Sequence, residues 1–146
     1  MKLFVKRLRS SAKLPYRATP DSAGYDLYAC LDEPVTLQPG DICRIPTGIS
    51  VSPDRRDVAL CIFPRSGLSS KYGITLANSV GLVDSDYRGE LQVALIHLGK
   101  EPFTVEDKMR IAQLVTIPVL FPTLEETDML DETVRGSDGF GASGLN

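Results

Sequence analysis

Residues 42–63, ICRIPTGISVSPDRRDVALCIF, decide the fold class. Two apolar runs rich in β-branched residues, ICRIPTGISV and DVALCIF, flank the turn-forming segment SPDRR. Runs of this length, bounded by Pro, Gly, Ser and Asp, are typical of β-strands. The same pattern recurs in LFVKRL, GYDLYA, GITLA, LQVALIHL, PFTV and RIAQLVTIPVL. Short strands at even spacing predict an all-β sandwich or jelly roll without long helices.

Composition narrows the class of protein. The chain has 146 residues, of which 42% are hydrophobic, and this suits one globular domain. A net charge of −3 argues against binding nucleic acid through a broad basic face. The start, MKLFVKRLRSSAK, lacks the apolar segment of a secretory signal, and no apolar run is long enough for a membrane span. Three dispersed cysteines form no CxxC motif, so we expect a reducing, cytoplasmic compartment without membrane attachment.

One stretch, PRSGLSSKYGI at residues 64–74, departs from the strand pattern. A serine that can cap a helix, about one turn of mixed residues and then Gly73 predict a short helix. The backbone N–H groups at its start, beside Arg65 and the Ser66 hydroxyl, would suit a phosphate. The alternative is a simple turn with an exposed arginine.

Three further segments carry polar groups that need a partner. GLVDSDYRGEL at residues 81–91 predicts a β-hairpin, in which Asp84 or Asp86 could activate a water or merely cap the turn. Asp26 lies in the apolar strand AGYDLYA and requires a cation, a metal-bound water or a backbone donor. Gln113 in RIAQL could bond a neighbouring strand or reach a ligand.

Several common catalytic motifs are absent from the sequence. It contains no GxxxxGK[ST] phosphate loop and no GxGxxG dinucleotide fingerprint. A single histidine, His97, cannot form the HExxH or zinc-deaminase ligand sets. Because it lies in the apolar run ALIHL, His97 is interpreted as a structural residue.

The last twelve residues, RGSDGFGASGLN, are too rich in Gly and Ser to bury a core. They nevertheless carry one cation, Arg135, and one aromatic ring, Phe140. The segment is therefore either a solubilising tail or a lid that becomes ordered over a ligand.

Five segments, AGYDLYA, PRSGLSSKYGI, GLVDSDYRGEL, RIAQL and RGSDGFGASG, occur in the order of the five motifs of the trimeric dUTP diphosphatase (dUTPase) family. The chain resembles this family over nearly its whole length. The resemblance implies a jelly-roll-like (β-clip) domain at residues 1–134, a flexible lid at 135–146, and a homotrimer whose sites are built from more than one chain. It also implies Mg²⁺-dependent hydrolysis of dUTP to dUMP and pyrophosphate, which keeps uracil out of DNA and supplies dUMP for thymidylate synthesis.

The resemblance also assigns roles around the nucleoside. Asp84 would be the general base for water attack on the α-phosphorus, and Tyr87 would pack under the deoxyribose. Gln92 would border the same pocket. Backbone groups near the turn would read uracil, and the residues concerned are Asn78, Gly81, Leu82 and Val83.

For the phosphates, the resemblance implies binding at the helix start by Arg65, Ser66 and Gly67, with a further contact from Gln113. Asp26 would hold Mg²⁺ through a water. In the tail, Phe140 would stack on uracil beside Gly141. Arg135 and Ser143 would hold the γ-phosphate.

The sequence departs from the family pattern in three places. Lys108 and Met109 stand where the family often has Gly and Asp, so the turn there is expected to differ. Asp138 stands where the tail often has Gly, and His97 where Asn is frequent. Two alternatives remain: a dCTP deaminase of the same fold, or a non-catalytic dUTP-binding or signalling protein.

Overall fold

The computed structural model describes residues 1–139. These residues form eleven short strands and one helix, which confirms the predicted all-β domain with one short helix. The elements are β1 (Leu3–Arg7), β2 (Tyr25–Tyr28), β3 (Val35–Leu37), β4 (Ile42–Pro46), β5 (Ile49–Pro53), β6 (Val58–Phe63), α1 (Ser66–Tyr72), β7 (Ile74–Leu76), β8 (Gly81–Val83), β9 (Gln92–His97), β10 (Phe103–Val105) and β11 (Arg110–Pro118). Within them, no helix has the length and apolarity needed to cross a membrane.

Backbone hydrogen bonds join the strands into four antiparallel sheets. The largest has the order β2-β11-β6-β8, the next has β4-β9-β7, and the pairs β1-β5 and β3-β10 complete the fold. Nearly all of β6 is buried, because it is an inner strand covered on both faces. The sheets enclose one core, to which the largest fully buried contributors are Leu27, Leu37, Ile45, Ile49, Leu60, Ile74, Leu91, Leu95, Ile111 and Leu114.

Strand boundaries differ from the prediction at one corner. The run ICRIPTGISV is two strands, β4 and β5, which belong to different sheets and meet at Gly48. Gly48 has a left-handed φ of 69°, and an added Cβ would lie 2.7 Å from Ala12 Cβ and 2.8 Å from Cys30 Sγ. Only glycine suits this backbone and this space, so the chain turns here from one sheet to the next. The short strand β3 was not predicted.

The helix forms where it was predicted, but it begins differently. Arg65 is the N-cap residue in extended conformation, and no side chain caps the helix, so the expected serine cap is wrong. Ser66 is already the first helical residue. The end is as predicted: Gly73 adopts left-handed φ 68°, and its N–H donates to Ser69 O at 3.1 Å. Leu68 anchors the helix in the core.

The predicted hairpin at residues 81–91 is wrong. β8 pairs with β6, whereas β9 pairs with β4 and β7, so residues 84–91 connect two sheets. The turn around Asn78 joins β7 to β8 and also crosses between sheets. Local turn signals could not reveal this crossover, because burial of the core decides which strands pair.

His97 is a buried structural residue, as predicted. Its Nδ1 accepts the Gly99 N–H at 3.1 Å, so Nε2 carries the proton and donates to Glu101 O at 2.6 Å. Both ring nitrogens are used within one loop.

The turn before β11 explains the first departure from the family pattern. Lys108 has φ 61°, the left-handed backbone that glycine adopts without strain. Its neighbour Asp107 accepts the Leu31 N–H at 3.0 Å, and this bond holds the pKa of the Asp107 carboxyl below its ordinary value. Lys108 therefore occupies a backbone position that favours glycine, and the expected difference in the shape of the turn stays a prediction.

We predict that Lys108→Gly stabilises the fold by up to about 1.5 kcal/mol. Relief of the left-handed strain contributes about 1–2 kcal/mol, and the larger unfolded-state entropy of glycine offsets about 0.5–1 kcal/mol. Chemical denaturation measures the change. Lys100→Gly is the matched control, since Lys100 has no left-handed backbone, and it should destabilise. Equal effects of the two substitutions would contradict the assignment of strain.

Candidate active site

A cleft of about 380 Å³ lies where β2, β11 and the start of α1 meet, and we call it the anion cleft. It brings together the predicted phosphate and metal residues from three separate segments. Its lining residues are Ala18, Ser22, Ala23, Gly24, Asp26, Arg65, Ser66, Gly67, Arg110 and Gln113.

Two guanidinium groups hold the Asp26 carboxylate in this cleft. Arg65 Nε lies 3.1 Å from Oδ1, and Arg110 Nη1 lies 3.1 Å from Oδ2. The Asp26 side chain is only 13% exposed, so the partner that this largely covered carboxylate requires is a pair of cations. With two arginines against one aspartate, the cleft keeps a net positive charge suited to a polyanion.

Sequence reasoning missed Arg110. It lies three residues before Gln113, and a regular strand would place the two on opposite faces. The register of β11 against β2 shifts between Arg110 and Ala112, and this bulge allows Arg110 and Gln113 to line the same cleft. In the sequence, the signal of the bulge was the adjacent apolar pair Ile111 and Ala112, which interrupts the alternation of a regular strand.

Gln113 bonds the neighbouring segment and also lines the cleft. Its Nε2 donates to Pro64 O at 2.9 Å, which turns its Oε1 towards Gly24. A Cβ at Gly24 would lie 3.0 Å from that oxygen, so the approach of β2 to Gln113 requires a small residue.

The start of α1 supplies backbone donors to the cleft. The first internal bonds of the helix run from Leu68 N and Ser69 N to Arg65 O, both at 3.0 Å. The N–H groups of Ser66 and Gly67 precede these bonds and are therefore available to an anion. Space for a Cβ at Gly67 is open, so a ligand can approach the backbone there.

A second cavity, of about 280 Å³, lies beside β8, and we call it the aromatic pocket. It contains four of the predicted nucleoside residues and the predicted base. Its lining residues are Arg44, Ile62, Leu82, Val83, Asp84, Tyr87, Glu90, Leu91 and Gln92. Asn78 and Gly81 are not among these lining residues: Asn78 is exposed on the preceding turn, and Gly81 is buried against Ile62.

Tyr87 provides the flat surface of the pocket. Its Oη donates to Glu90 O at 3.2 Å, and its ring lies so close over Gly89 that a Cβ there would overlap it. Asp84 is exposed beside it, and the Asp84 carbonyl accepts the Tyr87 N–H at 3.2 Å. An exposed carboxylate therefore lies next to an aromatic platform.

Within one chain the two cavities are far apart. β2 and β8 are the two outer strands of the four-stranded sheet, so three inter-strand spacings separate them. Following the paired residues from Asp26 across β11 and β6 to the line of β8 leads to a position four residues before Asp84. At about 4.8 Å between strands and about 3.3 Å per residue, their Cα atoms are roughly 20 Å apart. The two groups cannot reach the same phosphorus atom.

Residues 1–139 hold no group of three or more His, Cys, Asp or Glu side chains suited to a metal ion. Asp26 alone faces the anion cleft as a carboxylate. This donor set suits a Mg²⁺ ion carried mainly by substrate phosphates and water. It does not suit a cage of protein ligands.

Of the predicted tail residues, Arg135 lies in a turn, where its Nε donates to Asp138 O at 2.9 Å. Phe140, Gly141 and Ser143 lie outside the described residues. The Asp138 carbonyl thus holds Arg135, while the effect of the Asp138 carboxylate on the tail stays a prediction.

Comparison with known proteins decides the family. The sequence model of the dUTPase family matches residues 10–144. The chain belongs to the dUTPase family. The deoxyuridine 5′-triphosphate nucleotidohydrolase of Desulfitobacterium hafniense (strain DSM 10664 / DCB-2) is 49% identical over all of this chain and 97% of that protein. The enzyme of the same name from Coxiella burnetii (strain Dugway 5J108-111) is 48% identical over all of this chain and 96% of its own.

Solved dUTPases share the fold. A dUTPase of Staphylococcus bacteriophage 80alpha, determined with dUpNHpp, superposes with a TM-score of 0.90 at 27% identity and covers 99% of both chains. The dUTPase of phage phi11, whose structure describes a coordinated structural Mg(II) ion, gives 0.82 at 23% identity over 90% of this chain and all of that one. The predicted dUTPase resemblance and β-domain are therefore confirmed.

We predict that Arg110→Gln weakens the binding of inorganic triphosphate to this dUTPase about ten- to a hundredfold. A hydrogen bond to a charged group contributes about 1.5–3 kcal/mol, and the substitution removes one cation from the anion cleft. Calorimetric titration measures the affinity. Arg44→Gln, which removes a cation from the aromatic pocket, is the control and should leave this affinity unchanged. Equal losses would show that the anion cleft is not the phosphate site.

Proposed function

We propose that the protein hydrolyses dUTP to dUMP and pyrophosphate. Membership of the dUTPase family, with relatives named as deoxyuridine triphosphate nucleotidohydrolases, supports this activity. The observation that links this activity to particular residues is that the motif residues line two separate cavities. One is cationic and rich in N–H donors, and the other joins an aromatic platform to an exposed carboxylate.

The anion cleft would bind the triphosphate. Arg65 and Arg110 supply charge, while the N–H groups of Ser66 and Gly67 supply oriented donors. A Mg²⁺ ion bound with the substrate would spread the charge that develops on the phosphates. Asp26 would orient a water of that ion.

The aromatic pocket would take the nucleoside. Because β8 is an outer strand, the backbone groups of residues 81–83 that point away from β6 have no strand partner within residues 1–139 and can pair with the edge of uracil. Tyr87 would lie under the deoxyribose and leave no room for a 2′-hydroxyl. A site that hydrogen-bonds its substrate in this way strongly rejects bases that leave these groups unpaired.

Asp84 would act as the general base. It would take a proton from a water placed in line with the α-phosphorus and its leaving pyrophosphate. Base catalysis of this kind contributes about 10²–10⁴-fold. Its exposure in the single chain leaves room for a water and for a second chain beside it.

The roughly 20 Å between Asp26 and Asp84 supports a site shared between copies of the chain. Residues 119–134 also extend away from the core with apolar side chains that their own chain does not cover. A second copy would bury them, which favours association. The family resemblance gives three copies. The uncovered side chains are Leu120, Phe121, Leu124, Met129, Leu130 and Val134.

The remaining proposals concern the tail and the compartment. Residues 1–134 would form the β-domain, and residues 135–146 a lid that brings Arg135, Phe140 and Ser143 to the nucleotide. The three cysteines are free thiols, which favours a reducing cytoplasm. No nucleic-acid or membrane partner is proposed.

We predict that Asp84→Asn lowers pyrophosphate release from dUTP by at least about 10²-fold and leaves dUpNHpp binding intact, because the amide cannot accept the proton. A coupled pyrophosphate assay, with and without Mg²⁺, measures turnover. Asp54→Asn, which removes a charge near Asp84 outside the aromatic pocket, is the control and should retain activity. Wild-type protein that binds dUTP without releasing pyrophosphate, or that makes dUTP from dCTP, would contradict the proposed reaction.

We predict that two inactive variants restore each other when mixed. An assembly of Asp84→Asn and Arg65→Gln chains contains sites in which Asp84 comes from one chain and Arg65 from another. Refolding the mixture and purifying assemblies with two different tags should therefore recover pyrophosphate release. In the control, Asp84→Asn chains are mixed with chains that carry both Asp84→Asn and Arg65→Gln. No chain in that mixture supplies Asp84, so it should stay inactive. Purified mixed assemblies without activity would show that each site lies in one chain.

A further inference from the structure

Glu90 occupies an unusual place between the corner at Gly48 and the ring of Tyr87. Its carboxylate Oε1 accepts the Gly48 N–H at 2.7 Å, while its carbonyl accepts the Tyr87 hydroxyl at 3.2 Å. One residue thus connects the core to the platform of the aromatic pocket.

The anchor at Gly48 is rigid. Gly48 lies between β4 and β5, and its carbonyl accepts the N–H groups of Leu8 at 2.7 Å and Arg9 at 3.3 Å, so its peptide is held on both sides. A carboxylate that accepts a backbone N–H forms one of the stronger hydrogen bonds in proteins. Glu90 is therefore held at a defined position relative to the core.

Other bonds hold the rest of the segment. Thr47 Oγ1 donates to Leu91 O at 2.6 Å, and Ser50 Oγ donates to Arg88 O at 2.8 Å. These bonds hold the ends of residues 88–91. At the centre, the Leu91 N–H, which shares a peptide group with the Glu90 carbonyl, donates to Ile49 O at 2.9 Å. The Glu90 carboxylate holds the same residue through its side chain.

Among residues 1–139, the Tyr87 hydroxyl has one hydrogen-bond partner, the Glu90 carbonyl. Tyr87 is 47% exposed, and its close contact is with Gly89, which has no side chain to confine it. The hydroxyl bond to Glu90 O therefore contributes to the position of the ring, and with it the side-chain bond that helps to hold Glu90.

We propose that Glu90 is a positioning residue that sets discrimination against ribonucleotides. Through its bond to Gly48, Glu90 helps to fix the distance between the Tyr87 ring and the deoxyribose above it. The ring at that distance excludes a 2′-hydroxyl. This inference rests on the proposed function, in which Tyr87 lies under the deoxyribose. Displacement of a reacting or positioning group by about 1 Å costs up to about 10²-fold in rate.

The test compares kcat/KM for dUTP with kcat/KM for UTP. Glu90→Ala should lower this ratio about tenfold or more, mainly because UTP is accepted better. Glu90→Gln should keep most of the ratio, since its amide oxygen can accept the Gly48 N–H. In a Tyr87→Phe background, where the hydroxyl bond is already absent, Glu90→Ala should change the ratio much less. Glu33→Ala, an exposed glutamate outside both cavities, is the control.

A second measurement does not depend on turnover. In protein containing fluorotyrosine, the resonance of Tyr87 is assigned by its loss in Tyr87→Phe, and its line shape reports ring motion. Glu90→Ala should give a mobile ring and Glu90→Gln a restrained one.

An unchanged ratio in Glu90→Ala would overturn the inference while leaving dUTP hydrolysis standing. If the wild type released no pyrophosphate, the proposed function would fail, and the ring measurement would decide on Glu90 alone. An equally restrained ring in Glu90→Ala would then reject it.

Discussion

The pairing of β11 with β2 on one side and β6 on the other is the constraint on which the anion cleft depends. Gln113 lies opposite Asp26 in one register and opposite Phe63 in the other, so one strand aligns three separate segments of sequence. The bulge after Arg110 then adds a second cation to the same side. Because backbone hydrogen bonds fix these registers, the cleft is formed before any ligand binds.

Charge balance in the cleft follows from that alignment. A partly buried carboxylate alone would be costly, and two guanidinium groups alone would repel each other. Asp26 between Arg65 and Arg110 satisfies all three groups while leaving excess positive charge. A triphosphate with its metal ion would bring the opposite charge, and the site would then be close to neutral.

A feature could be predicted from the sequence when the residues that form it lie close together in the chain. The helix at residues 66–72 and its glycine end were predictable, because they depend on neighbours in the chain. The hairpin at residues 81–91 was wrong, since its strands pair with distant partners. Arg110 was missed because a bulge, which shows in the sequence only as two adjacent apolar residues, changed the face of the strand.

The sequence by itself determined the all-β class, the structural role of His97 and membership of the dUTPase family. Those properties follow from local composition and from the order of the motifs along the chain, which does not depend on the fold. Only the tertiary structure decided that Asp26 lies between two arginines and that Glu90 connects Gly48 to Tyr87. It also placed Asp84 roughly 20 Å from Asp26 within one chain. These outcomes depend on strand order and register, which are set by burial of a shared core and not by residues close in sequence.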